Sequence, residues 1–72
     1  MKTIQINNAV WKEGEYFVAQ CLNIDVPGFG NTREEALSNL QRALELYVED
    51  NEHPEVTIIE KVKIAGAVLS YA

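Results

Sequence analysis

A single cysteine, Cys21, leaves this chain no internal disulfide and no multi-cysteine metal site. Two prolines and four glycines are too few for a collagen-like or low-complexity segment. Cations are scarce: six Lys and Arg stand against eleven Asp and Glu, for a net charge of −5. Phosphate backbones are held by clustered Lys and Arg, so nucleic acid is not expected as a direct ligand. The longest uncharged apolar stretch, Ile64 to Ala72, is less than half of the ~20 residues that cross a bilayer, so no transmembrane span and no membrane partner are expected. The first residues alternate polar and apolar (Lys2, Ile4, Gln5, Ile6) and build no signal-peptide core, which predicts a cytoplasmic protein.

What is present is a folding composition. Apolar types make up 47% of 72 residues, enough for one small domain, residues 1–72, with a core of its own. A chain of this length buries only about 60% of its unfolded surface, and small scaffolds without a staple lean on association. A homo-oligomer (dimer or tetramer) or an obligate partner is therefore expected. The charge is unevenly placed. Residues 1–32 carry −1 and residues 56–72 carry +1, whereas 33–55 set two arginines against seven acids and carry −5. An acidic segment suits a basic protein partner, and a merely solvated helix face reads the same way.

The periodicities predict the order βββαβ, an α+β fold in which one helix lies across one face of an antiparallel sheet. Residues 2–11 read as a first strand, with Asn7-Asn8 as a bulge or turn. Lys12 to Glu15 reads as a hairpin loop whose glycine, Gly14, supplies a positive φ. Tyr16 to Leu22 is rich in strand formers and apolar on both faces, hence central. Asn23 to Phe29 is a shorter extended run, and Pro27-Gly28 is expected to end regular pairing, since proline has no N–H to donate. Thr32-Arg33-Glu34-Glu35 is a capping box at a helix start. At 100° per residue, Ala36, Leu37, Leu40, Ala43, Leu44, Tyr47 and Val48 fall within an arc of about 140°, with Leu46 pointing out among acids. The helix is expected to stop near Asp50–Glu52, because Pro54 disfavours helical geometry at His53. Val56 to Ile64 alternates as a last strand with Glu60 off pattern, and Ala65 to Ala72 could extend it, fold back or pack on another subunit.

Little of this carries catalytic chemistry. His53 sits at a helix exit without a nucleophile or orienting carboxylate in local sequence. Cys21, in the apolar central strand, reads as buried filler, since a reactive thiol needs nearby positive charge. Asp25, Glu49 and Asp50 offer oxygen ligands for a divalent ion, but no metal-binding loop signature surrounds them, and neither metal nor cofactor is expected. Phe29-Gly30-Asn31 precedes a helix N-terminus without the lysine or glycine spacing of a phosphate loop, so a tight turn is the better reading. The aromatics Trp11, Tyr16, Phe17 and Tyr71 lack interleaved Arg or Lys and read as core or interface. A binding module remains.

The run Tyr16-Phe17-Val18-Ala19-Gln20-Cys21-Leu22, then Asp25-Val26, then Gly30-x-Thr32-x-x-Glu35-Ala36-Leu37-x-Asn39-Leu40, then Ala43-Leu44-Glu45-Leu46-Tyr47, resembles the HicB family of antitoxins over roughly residues 10 to 60. The resemblance implies a partial ribonuclease-H-like βββαβ fold without catalytic carboxylates. It implies a non-enzymatic antitoxin of a type II toxin–antitoxin system, which covers the active site of a small, basic, RNA-cleaving HicA-type toxin. Family members often add a DNA-binding segment, whereas the small residues after the last strand here build no recognition helix, so a C-terminal DNA-binding domain is not expected. On exposure and chemistry, the nominated toxin contacts are Asp25, Phe29, Glu45, Leu46 and Glu49. Trp11, Val68, Leu69 and Tyr71 are nominated for an oligomer interface. The alternative is an orphan homo-oligomeric binding module of the same fold without a toxin. Least supported is a residual metal-dependent nuclease built on Asp25, Glu49 and Asp50.

Overall fold

A computed structural model describes residues 3–51 and 53–72. Lys2, expected in the first strand, and Glu52, expected at the helix end, lie outside the described residues. Three antiparallel strands, β1 (Asn8–Glu13), β2 (Tyr16–Cys21) and β3 (Pro27–Gly30), form one sheet in the order β1-β2-β3. The helix α1 (Arg33–Asp50) packs on one face of it. This is the small α+β arrangement that the periodicities predict, as βββα.

The first hairpin is tighter than expected. Glu13 pairs directly with Tyr16, so the loop is Gly14-Glu15 alone. Gly14 takes φ +65° and no other described residue has a positive φ, the pattern of a II′ turn, whose twist matches that of the flanking strands. β1 therefore runs on to Glu13 and begins only at Asn8. At Asn7 the amide leaves the ladder and donates to Asn23 Oδ1 at 2.6 Å, while its carbonyl still accepts from Leu22 N at 2.9 Å.

The third strand corrects the sequence reading. Pairing does not end at Pro27-Gly28; it starts there, with Pro27 opposite Gln20 and Gly28 opposite Ala19. β3 is an edge strand, where a missing N–H costs no ladder bond. Its glycines are a seat for the helix. A Cβ on Gly28 would stand 2.5 Å from Leu40 N and 2.7 Å from Ala36 O, and one on Gly30 2.6 Å from Ala36 N. Asn23 to Asp25, expected to be extended, is a connection folded on itself, with Val26 N donating to Ile24 O at 2.7 Å.

The helix forms as its local signals dictate. Thr32 is the N-cap, its hydroxyl accepting from Glu35 N at 3.0 Å. The Glu35 carboxylate reaches back one residue further than in the standard box and accepts from Asn31 N at 3.1 Å. Ala36, Leu40 and Leu44 face the sheet and form the core with Ala19, Cys21 and Ile24. Half-buried Ile6, Val10, Phe17, Val26, Leu37, Tyr47 and Val56 surround it. Arg33 lies 5.7 Å above the Phe17 ring, a cation–π contact at the helix start. The last strand expected over 56–64 does not form: residues 54–72 join no ladder, Val56 packs on the core, and Thr57 is hydrogen-bonded to Asn23. Alternation specifies a strand only where an edge receives it, and among the described residues none does.

Candidate protein-interaction surface

Because strand side chains alternate, the residues opposite the helix side form a second face. Trp11, Val18 and Phe29 stand in one cross-strand row, Trp11 opposite Val18 and Val18 opposite Phe29. Val18 is buried beneath its neighbours, while Trp11, Tyr16 and Phe29 are exposed, Phe29 by 53%. Tyr16 leans on Phe29 with ring centroids 6.1 Å apart at 56°. No element of the described residues covers this face.

One carboxylate organises its rim. Glu13 accepts from the Tyr16 hydroxyl at 2.7 Å and from the Trp11 indole N–H at 3.4 Å. The tyrosine bond, then the indole bond, hold the Glu13 carboxyl below its usual range. The same hydrogen bond and the carboxylate's charge push the Tyr16 hydroxyl up. At the other end Gln20 Nε2 donates to Cys21 O at 3.0 Å and to Asp25 Oδ1 at 3.3 Å.

A second surface lies on the outer side of α1. Asn39, Arg42, Ala43, Glu45, Leu46 and Glu49 line a shallow hollow, and Leu46 is 61% exposed within it. Glu34, Glu35, Glu45, Glu49 and Asp50 are all exposed along the helix, and its last turn holds no basic residue.

The five nominated contacts therefore separate into two groups. Asp25 and Phe29 belong to the uncovered sheet side, and Glu45, Leu46 and Glu49 belong to the helix outer side. Asn39 joins the two at the β3 edge, where its Nδ2 donates to the Phe29 carbonyl at 2.6 Å. Asn39 is one of the residues that carry the family resemblance, but nothing in the sequence marks it as a contact to β3. Of the nominated oligomer contacts, Trp11 lies on the uncovered sheet face, while Val68, Leu69 and Tyr71 are exposed on the trailing segment.

Other candidate chemistry is dispersed. Among the described residues no three His, Cys, Asp or Glu side chains stand together as a metal site, so Asp25, Glu49 and Asp50 are not assembled. His53 is exposed, and Cys21 is a buried free thiol. The turn before α1 is filled by the chain's own Glu35 carboxylate, which takes the place an anion would need. Among the described residues no helix is long and apolar enough to cross a membrane. No protein-family model, curated protein or solved structure matches this chain.

Proposed function

We propose that the chain is the toxin-neutralising part of a toxin–antitoxin pair and acts by docking, without catalysis, onto a small basic HicA-type toxin that cleaves RNA. The observation that carries this reading is the outer face of α1, where Glu45 and Glu49 flank the exposed Leu46 around one hollow. An apolar anchor among carboxylates suits a cationic protein: the carboxylates steer the encounter and Leu46 supplies the desolvated contact. The resemblance of the Gly30–Tyr47 run to HicB antitoxins agrees with it. Asp25 and Phe29 would contact the same partner from the β3 edge, which Asn39 ties to the helix.

The test is titration of the full chain into the RNA-cleavage reaction of a small Lys- and Arg-rich protein encoded in the neighbouring reading frame. Stoichiometric loss of cleavage is expected. Glu45→Lys with Glu49→Lys should weaken inhibition at least tenfold, more so at low salt, because screening weakens the charged contact. Undiminished cleavage at excess chain overturns the reading. The second reading, an orphan homo-oligomeric module, is favoured by the trailing segment, whose apolar side chains stay exposed in one copy.

A further inference from the structure

The uncovered sheet face carries a charge where two of its aromatic rings meet. Trp11 and Glu13 of β1 share this side by strand parity, and Tyr16 of β2 stands directly opposite Glu13. The Glu13 carboxylate is tied to both rings, one oxygen to the Tyr16 hydroxyl at 2.7 Å and the other to the Trp11 indole N–H at 3.4 Å. Both donors are neutral, so neither cancels its charge. An ionised carboxylate offers about four acceptor positions, and these bonds use one on each oxygen. Each oxygen keeps room for a further donor, and Glu13 is exposed to receive it. The sheet itself supplies no such donor. Lys12, the only Lys or Arg in the three strands, has the parity of Val10 and lies on the helix side.

What can cover this face follows from Glu13. Trp11, Tyr16 and Phe29 are exposed around the buried Val18, and a molecule that gains by covering the first two must also take Glu13 out of water. A carboxylate buried without a cation costs more than ring contacts contribute. A purely apolar partner leaves that charge uncompensated, and a nucleic acid adds like charge beside it. Among cations the guanidinium fits best. Its planar fork can reach both carboxylate oxygens together while its plane stacks on a ring, whereas an ammonium is a compact, strongly hydrated point charge. The chain seats one guanidinium this way on its other face, Arg33 over the Phe17 ring at 5.7 Å.

We propose that the bare sheet face is a docking site for an arginine of a partner protein, its guanidinium spanning the two Glu13 oxygens and stacking on the Trp11 ring. Apolar side chains beside that arginine cover Tyr16 and Phe29. Tyr16 also acts as a positioning group, since its hydroxyl fixes the carboxylate that the arginine meets. Trp11, Glu13 and Tyr16 are none of the contacts assigned above to a toxin, and the inference does not rest on that reading.

Trp11 is the chain's single tryptophan, so its emission reports on this site. The probe is a blocked peptide alternating arginine with serine, titrated into the full chain beside its lysine counterpart. The arginine peptide should move Trp11 emission to shorter wavelength saturably, and the lysine peptide should bind about tenfold more weakly. Glu13→Gln should weaken the arginine peptide by about tenfold and leave the urea midpoint nearly unchanged, because the residue is exposed. Glu45→Lys with Glu49→Lys should leave the Trp11 response nearly unchanged at physiological salt, where distant charges are screened. Absence of a saturable shift overturns the proposal, and so does equal affinity for the lysine peptide or a response that survives Glu13→Gln. Trp11 emission that shifts when the chain alone is concentrated gives the face to a second copy and overturns it too. Loss of toxin inhibition with the Trp11 response intact would instead count against the antitoxin reading alone.

Discussion

The two faces of the three-stranded sheet differ in side-chain size where the helix crosses them. Directly under the helix stand Ala19, Cys21, Gly28 and Gly30, with Val10 and Phe17 packed at the margin; on the other side stand Trp11, Tyr16, Val18 and Phe29. Trp11, Tyr16 and Phe29 are left exposed. What decides which face becomes the core is how closely a helix can approach, and only the small-residue face admits backbone at the distances seen at Gly28. The large-residue face gains what it can from cross-strand contact and remains available for another molecule.

The strongest way to break this contrast is to put a side chain on the helix seat. Gly28→Val places methyl groups where Leu40 and Ala36 backbone atoms lie, and neither can withdraw without lifting the helix. A 72-residue domain has only roughly 4–11 kcal/mol of stability, so the variant should show no cooperative unfolding transition in circular dichroism. A native-like melt would show that the seat tolerates bulk. A matched pair of truncations sharpens the contrast. Leu40→Ala, at a fully buried position, should cost about 2–5 kcal/mol in urea unfolding. Phe29→Ser, across the sheet, should cost less than about 1 kcal/mol, chiefly the ring contact with Tyr16. Equal losses would mean that the bare face is core after all.

The smallest expected effect is the pH response of the bare face's rim. Glu13 has a lowered folded-state carboxyl pKa, so its stabilisation is complete above the unfolded-state value and is lost as pH falls through the folded one. Tyr16 has a raised value, so the same contact is complete below the ordinary tyrosine range and fades as pH rises through the folded value. Both groups are solvated and the effect is slight. Replacing Tyr16 with Phe should flatten the acid limb of a melting-temperature profile, and an unchanged profile would remove the contact from the account.

How much of this was legible in sequence depended on how local each signal was. Thr32, Glu35 and the spacing Ala36-Leu40-Leu44 act within a few turns of one another, so the helix and its buried stripe could be read directly. Gly14 likewise marked its turn. Pro27 and Gly28 were misleading because their role is set by other elements: read locally they break a strand, whereas against β2 they start an edge strand and against α1 Gly28 is a helix's seat. Val56 to Ile64 misled in the other direction, since its alternation is plain but no strand of the described residues pairs with it. At the candidate surface, Leu46 stood out because it leaves the apolar arc of the helix. Asn39 was visible only as a motif letter, because the fold alone brings it to the Phe29 carbonyl.

Cys21 offers a use that follows from its position alone. It is the chain's one thiol, 1% exposed, at the end of the central strand and packed in the core with Ala36, Leu40 and Leu44 of the helix. An alkylating reagent reaches that sulfur only when α1 separates from its bed. The rate of modification under native conditions is therefore a clock for helix opening that needs no added label. Slowing of that clock as concentration rises would time the grip of one molecule upon another.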